Sequence, residues 1–159
     1  MAQQPHTPDL DAQRAAMKKL DFLVGKWSGE ARMLRAPGDQ VVMTQSEEAQ
    51  YKLDGLILSI EGVGKANGKP VLQALGIVSY DDETGTYHMR AFNDGRFLET
   101  EVKLLPEGKG MTWGFTLGQY RTAAVMRIDE KGAWTEQHEI TIGTQPPMKF
   151  MEVSVTRQK

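Results

Sequence analysis

The chain changes from a helical to a strand-like pattern within one segment, Leu20-Asp21-Phe22-Leu23-Val24-Gly25-Lys26-Trp27-Ser28-Gly29-Glu30. The apolar side chains at its start need a core to pack against, and Gly25 can adopt backbone conformations that let the chain turn. Trp27 follows on the face that is expected to point into the same core. We therefore expect this segment to close one end of a β structure formed by the rest of the chain.

A short helix is predicted before this segment. Thr7-Pro8-Asp9 is typical of a helix start, with Thr7 as the cap and Pro8 in the first turn. Apolar residues then recur at helical spacing to about Leu20, and we expect this helix to pack on the end of the β structure. Residues 1–8 are polar and are predicted to form a flexible N-terminal segment. Residues 9–159 are predicted to form a single domain.

From Lys26 onward the apolar residues alternate with polar ones, as in strands that bury one face. Turn signals separate about nine or ten short strands, at the spacing of a meander. The clearest of these signals are Pro37-Gly38, Asp54-Gly55, Asn67-Gly68 and Asp94-Gly95. A closed sheet leaves no exposed edges. The pattern therefore predicts an all-β fold, an antiparallel up-and-down β-barrel after one short helix, with a β-sandwich as the alternative.

Gly25-Lys26-Trp27 resembles the Gly-x-Trp signature of lipocalins and their calycin relatives. The longer segment around it is similar to the Leu-x-Phe-Leu-x-Gly-x-Trp-x-Gly opening of a bacterial lipocalin-like family of unknown function. Further segments of that family have counterparts here, at Leu53–Leu58, Gly76–Asp81 and Thr86-Tyr87. The resemblance implies a lipocalin-like barrel with an interior that holds a small molecule.

Nitrobindin-like haem-binding barrels share the Gly-x-Trp-x-Gly opening and are more distantly similar. Their haem-ligating histidine lies near the end of the chain, after a stretch that contains proline. The corresponding region here, Gln145–Lys149, has no histidine. The comparison therefore implies that no haem is bound in that way, and no cofactor is expected. Haem held by His138 remains an alternative hypothesis.

Composition excludes several classes of function. The 159 residues include no cysteine, which excludes disulfides and thiolate metal sites. The formal net charge is −2 without a basic stripe, so nucleic acid is not an expected partner. No apolar run approaches the roughly 20 residues of a membrane-spanning helix. We expect a soluble protein, either cytoplasmic or a mature exported (periplasmic) chain, and leave a homodimer open.

Gln45 and Glu47 on one strand and Glu136 and His138 on another fall on predicted inner faces, and Arg90 joins them if its face of the strand Thr86 to Asn93 points inward. A charge inside a barrel costs several kcal/mol unless it is paired or hydrated, so these residues predict a hydrated pocket. His138 with Glu136 or Glu47 is the candidate catalytic pair, acting as a general base. The alternative is a buried histidine with a structural partner. No histidine spacing indicates a metal site.

The sequence predicts the binding of one small apolar or amphipathic molecule inside the barrel. An enzyme and a structural or oligomer-forming barrel with a packed core are the alternatives. The entrance is predicted at the mouth opposite the sealing segment, near Asp54-Gly55, Asp94-Gly95 or Pro146-Pro147. The candidate ligand-binding residues are aromatic, polar or methionine side chains: Tyr51, Met89, Arg90, Trp113, Tyr120, Trp134 and His138.

Overall fold

A short helix precedes a run of strands in the computed structural model, which describes residues 5–159. Helix α1 (Leu10–Lys18) is followed by a 3-10 turn (Asp21–Leu23). The strands are β1 (Gly25–Ala36), β2 (Asp39–Lys52), β3 (Ile57–Ala66), β4 (Lys69–Asp81), β5 (Thr86–Asn93), β6 (Arg96–Leu104), β7 (Gly110–Trp113), β8 (Thr116–Leu117), β9 (Tyr120–Ile128), β10 (Trp134–Ile142) and β11 (Met148–Arg157). Residues 1–4 of the predicted flexible segment lie outside the described residues.

The strands form one closed antiparallel sheet. Each strand from β1 to β7 pairs with the next, β9 follows β7, and β10 and β11 continue the order. The ring closes where β1 pairs with β11, from Trp27 opposite Arg157 to Met33 opposite Met151. Both β7 and β8 pair with β9, so they share one position and the barrel has ten strand positions. The predicted all-β barrel with one short N-terminal helix is confirmed, and the sheet does not divide into a sandwich.

The predicted strand Met111–Leu117 is interrupted between β7 and β8. At the break, the backbone N–H of Phe115 donates to Thr122 Oγ1 at 3.1 Å. A Cβ atom at Gly114 would lie 2.3 Å from the carbonyl oxygen of Thr122, so only glycine fits this close approach. The alternation of large and small residues in the sequence did not reveal this break.

Trp27 seals one end of the barrel, as the sequence predicts for its segment. Its indole N–H donates to the carbonyl oxygen of Leu23 at 2.9 Å. Its ring meets Trp134 edge-on at 5.5 Å between centroids, and the guanidinium of Arg157 lies over its face at 4.2 Å. Both tryptophans are buried. These contacts tie the start of β1 to the beginning of β10 and the end of β11.

Helix α1 begins two residues later than the cap prediction requires. The cap is Asp9 and not Thr7, because the Asp9 carboxylate accepts the backbone N–H of Ala12 at 3.0 Å. The backbone N–H of Asp9 in turn donates to the carboxylate of Asp82 at 2.9 Å. A contact with the barrel therefore fixes where the helix starts, and the local sequence does not contain that contact.

The helix covers one end of the barrel and is held there by hydrogen bonds. The hydroxyls of Tyr51 and Tyr87 donate to the carbonyl oxygens of Met17 and Ala16, at 2.8 and 2.7 Å. The Arg14 side chain donates to a carbonyl oxygen in the β2–β3 turn at 2.9 Å. The Asp54-Gly55 turn is therefore at the covered end, and its prediction as an entrance was wrong.

Asp82 holds the N-terminal segment against the same covered end. Its carboxylate accepts from Gln13 Nε2 at 2.7 Å and lies 2.8 Å from His6 Nε2. These hydrogen bonds hold the pKa of Asp82 well below its usual range, and the Asp82 carboxylate raises the pKa of His6. The Asp94-Gly95 and Pro146-Pro147 turns lie at the opposite, uncovered end.

We expect Tyr51→Phe to lower the free energy of unfolding by about 1–3 kcal/mol. The substitution removes a hydroxyl whose one proton is shared between the Met17 carbonyl oxygen at 2.8 Å and the Asp21 carboxylate at 2.6 Å, and a hydrogen bond to a charged group is among the stronger ones. Urea denaturation measures the loss. Tyr120→Phe is the matched control, because Tyr120 is 46% exposed at the other end and should change stability by less than about 0.5 kcal/mol. Equal effects would show that Tyr51 does not anchor the helix.

Candidate functional site

The inner face of the barrel differs between its two ends. Towards the helix, inward side chains are buried: Leu58, Val78, Met89, Val102, Met111 and Met126. Towards the uncovered end, inward side chains are half-buried: Met33, Leu72, Ala91, Leu98, Trp113 and Ile140. Strand β2 differs, because Val41 and Met43 remain buried near that end. We call the part of the inner face formed by this half-buried set the cup.

Gln45 and Glu47 project from the middle of β2 into the floor of the cup. Both are buried, and Gln45 Nε2 donates to Glu47 Oε1 at 2.7 Å. Their partners on β3 are Gly64 and Gly62. A Cβ at Gly62 would lie 2.8 Å from Glu47 Oε2, and one at Gly64 would lie 2.8 Å from Gln45 Oε1. The two glycines therefore provide the room that these polar side chains occupy.

Glu136 and His138 project from β10 and form a hydrogen-bonded pair. His138 Nε2 lies 2.7 Å from Glu136 Oε2, while the indole N–H of Trp134 donates to Glu136 Oε1 at 2.8 Å. Both oxygens of the carboxylate are therefore engaged. Donation to Glu136 places a proton on His138 Nε2, which leaves a lone pair on Nδ1 in the neutral imidazole.

Aromatic rings hold the imidazole of His138 in place. Its ring meets Trp113 and Phe150 edge-on, each at 5.8 Å between centroids. Phe150 reaches this position through a bulge in β11, where the pairing with β10 shifts by one residue. Within residues 5–159, Nδ1 of His138 has no hydrogen-bond partner, yet it is not shielded from solvent. This nitrogen is available to a bound molecule.

The electrostatics of the floor are unusual at Glu47. Burial raises the pKa of its carboxyl group to about 8, and repulsion from Glu136 adds to the rise, while the hydrogen bond from Gln45 opposes it. Between these carboxylates, β1 contributes only the small residues Gly29 and Ala31. Glu47 is therefore mostly protonated at pH 7. The sequence predicted hydrated charges here, whereas the structure holds one carboxyl neutral.

This arrangement can bind polar groups and can accept a proton. Glu136 orients His138, and an oriented imidazole with a free nitrogen is suited to general-base chemistry. In the part of the chain that the structure describes, no three His, Asp or Glu side chains are arranged to hold a metal ion. The same described residues contain no helix long and apolar enough to cross a membrane.

Arg90 and Tyr51 are among the predicted ligand-binding residues that do not line the cup. Arg90 points outward from β5 and pairs with Glu99, with 3.3 Å between Nε and Oε2, so its predicted inward position was wrong. The two faces of β5 are similarly apolar in sequence, and the inward face is the one with Met89. Tyr51 lies beneath the helix, where burial and the Asp21 carboxylate raise the pKa of its hydroxyl.

The other predicted residues divide between the cup and its surroundings. Trp113 and His138 line the cup, whereas Trp134 and Met89 are buried in the sealed half. Tyr120 lies at the rim opposite Ile142 and is largely exposed. Glu47 and Glu136, the predicted partners of His138, lie on the inner face, and Glu136 forms the hydrogen bond.

Sequence reasoning missed Gly62, Gly64 and Phe150. The glycines carry a signal that could have been used, because Gly-x-Gly on one face of a strand leaves space for long side chains on its neighbour. Phe150 carries no such signal. Its position depends on the bulge, which a regular alternation of side chains does not reveal.

Comparisons with known proteins agree with this architecture. A family model described as a protein of unknown function (DUF1579) matches residues 12–157. The solved structure of Rv2717c from M. tuberculosis is similar, with 13% sequence identity and a TM-score of 0.68 over 91% of this chain and 98% of that chain. At this identity the likeness shows the fold alone. No curated protein matches the chain.

We expect Glu47→Gln to remove a pH dependence of stability. Between the ordinary pKa of 4.5 and the folded value of about 8, the folded protein holds one proton more than the unfolded chain. The free energy of unfolding therefore falls as pH rises through this window, by up to about 1.4 kcal/mol per pH unit. Urea denaturation of wild type and variant from pH 5 to 9 measures the difference.

The matched control for this measurement is Glu48→Gln, one residue along β2 on the outer face. It should retain the wild-type slope, since it leaves Glu47 unchanged. Taking the difference between variant and wild type cancels the contribution of His6 and Asp82. A difference that stays constant from pH 5 to 8 would contradict the raised pKa.

Proposed function

Since the chain belongs to the DUF1579 family of proteins of unknown function, we propose from its geometry that it binds one small amphipathic molecule in the cup. The polar end of the molecule meets the floor formed by Gln45, Glu47 and His138. Its apolar part lies against the half-buried wall towards the rim. As in lipocalins, the ligand lies inside a barrel that is open at one end and packed at the other.

One observation carries the proposal, the difference in burial along the inner face. The helix half has the packed side chains of an ordinary core, so it accounts for the stability of the barrel. The other half leaves Leu72, Leu98 and Trp113 incompletely covered. Apolar side chains that enclose a concave surface with a few convergent polar groups are typical of small-molecule sites.

A second candidate function follows from the hydrogen bond between His138 and Glu136. The carboxylate holds the imidazole with Nδ1 free, and this atom can remove a proton from a bound molecule or from water. Because Trp134 also holds Glu136, the geometry of the pair is fixed before anything binds. The barrel would then be an enzyme in addition to a binding protein.

We expect 1-decanol to bind with one molecule per chain and to change the fluorescence of Trp113. Titration of the wild-type protein, with calorimetry as a second readout, measures the affinity. Ala91→Trp should weaken binding by about tenfold or more, because it fills the cup opposite Gly76. Ala123→Trp is the control, since Ala123 faces outward from β9 and should leave binding unchanged.

The fold of both variants is checked by circular dichroism and thermal unfolding. Equal affinities of the two folded variants would place any decanol site outside the cup. No binding by the wild-type protein would overturn the proposed function.

The catalytic candidate has a separate test, the hydrolysis of 4-nitrophenyl octanoate. We expect a rate above that of buffer, which His138→Ala loses and His88→Ala keeps. His88 is a matched control because it faces outward from β5, with Nε2 2.8 Å from the hydroxyl of Thr86. A rate unchanged in His138→Ala would eliminate the general-base role.

A further inference from the structure

We propose that the cup selects an amphipathic amine, whose ammonium group donates hydrogen bonds to Glu47, Gln45 and His138. The inference rests on the proposed function and specifies the chemical class of the ligand. It follows from the hydrogen-bonding capacity that the floor leaves open and from the charges that line the barrel.

The open atoms of the floor are hydrogen-bond acceptors. Gln45 is 1% exposed, and its carbonyl oxygen Oε1 has no partner among residues 5–159. A buried unsatisfied oxygen of this kind is rare in folded proteins. Glu47 Oε2 and His138 Nδ1 are also without partners in the described chain, while one N–H of Gln45 Nε2 and the indole N–H of Trp134 are already engaged. Once the Glu47 carboxyl group has lost its proton, the open acceptors of the floor therefore outnumber its donors.

A second unpaired acceptor lies higher on the inner face. The side-chain oxygen Oδ1 of Asn93 is shielded from solvent and has no partner among the described residues. Asn93 ends β5 on the same face as Met89 and Ala91. A ligand with only acceptor groups would leave this oxygen and Gln45 Oε1 unsatisfied, at the full desolvation penalty.

The cup also lacks a fixed positive charge. Arg157 shares the inner face but lies at the sealed end, over the Trp27 ring, and the described inward positions that line the cup hold no lysine or arginine. The titratable side chain that acts on Glu47 is Glu136 of β10, which in turn holds His138, while the neighbours of Glu47 on β1 and β3 are Trp27, Gly29, Gly62 and Gly64. An ammonium group has three N–H donors and a charge that relieves the repulsion between the two carboxylates.

Proton release follows from this binding mode. The raised pKa of Glu47 keeps its carboxyl group protonated at pH 7 in the empty cup. An ammonium group favours the ionised carboxylate, so binding expels this proton into solution. The affinity for an amine should therefore rise from pH 6 to 9, whereas the affinity for a neutral alcohol should not.

Three probes with the same number of carbon atoms and different polar groups test the inference: decylamine, 1-decanol and decanoate. We expect decylamine to bind at least about tenfold tighter than decanol at pH 8, and decanoate to bind weakest. Calorimetry at pH 7 in phosphate and in Tris buffer counts the protons released with decylamine, because the two buffers differ in their heats of protonation.

Glu47→Gln should lower the affinity for decylamine more than the affinity for 1-decanol, so that both the preference for the amine and the proton release are lost. Glu48→Gln is the control and should behave as the wild-type protein. Decanol binding without any preference for the amine would overturn this inference and leave the proposed function intact. Failure of all three probes to bind would overturn both. An amine preference that persists in Glu47→Gln would also contradict the assignment.

Discussion

The architecture depends on the pairing of β1 with β11, which converts a meander into a closed ring. At this seam Gly29 lies so close to β11 that a Cβ atom would fall 2.1 Å from the carbonyl oxygen of Ser154. The seal formed by Trp27, Trp134 and Arg157 lies at one end of the same seam. Because the ring is closed, one face of every strand points into the barrel interior. Closure also brings Glu136 of β10 near Glu47 of β2.

The stability of the fold does not explain why the floor of the cup is polar. Burying Glu47 beside another carboxylate disfavours its charged form, and Gln45 keeps an unsatisfied oxygen. Apolar side chains of similar size would fill the space above Gly62 and Gly64 without either penalty. The packed half of the barrel carries the core, which allows the floor to remain polar. Such a division is expected where a surface is kept for binding.

The sequence predicted those features that depend on local alternation and turn signals. The barrel, the sealing role of Trp27 and the shared face of Glu136 and His138 follow from a period of two residues. Arg90 was misplaced because both faces of β5 are apolar, and an exposed Phe92–Phe97 pair makes the outer face resemble a core. The proximity of Glu47 to Glu136 depends on ring closure, which no short segment encodes.

The proton on Glu47 connects burial with ligand chemistry. An empty cup with two ionised carboxylates and no fixed cation would be costly to fold, so one carboxyl group stays neutral. That neutral state requires only a proton and leaves the acceptors of the floor unsatisfied. A ligand with a positive charge and several N–H donors compensates the charge of the carboxylates and satisfies the acceptors of the floor. An alcohol satisfies only some of these acceptors. Selectivity can therefore arise from the floor alone, with an apolar wall that accepts many shapes.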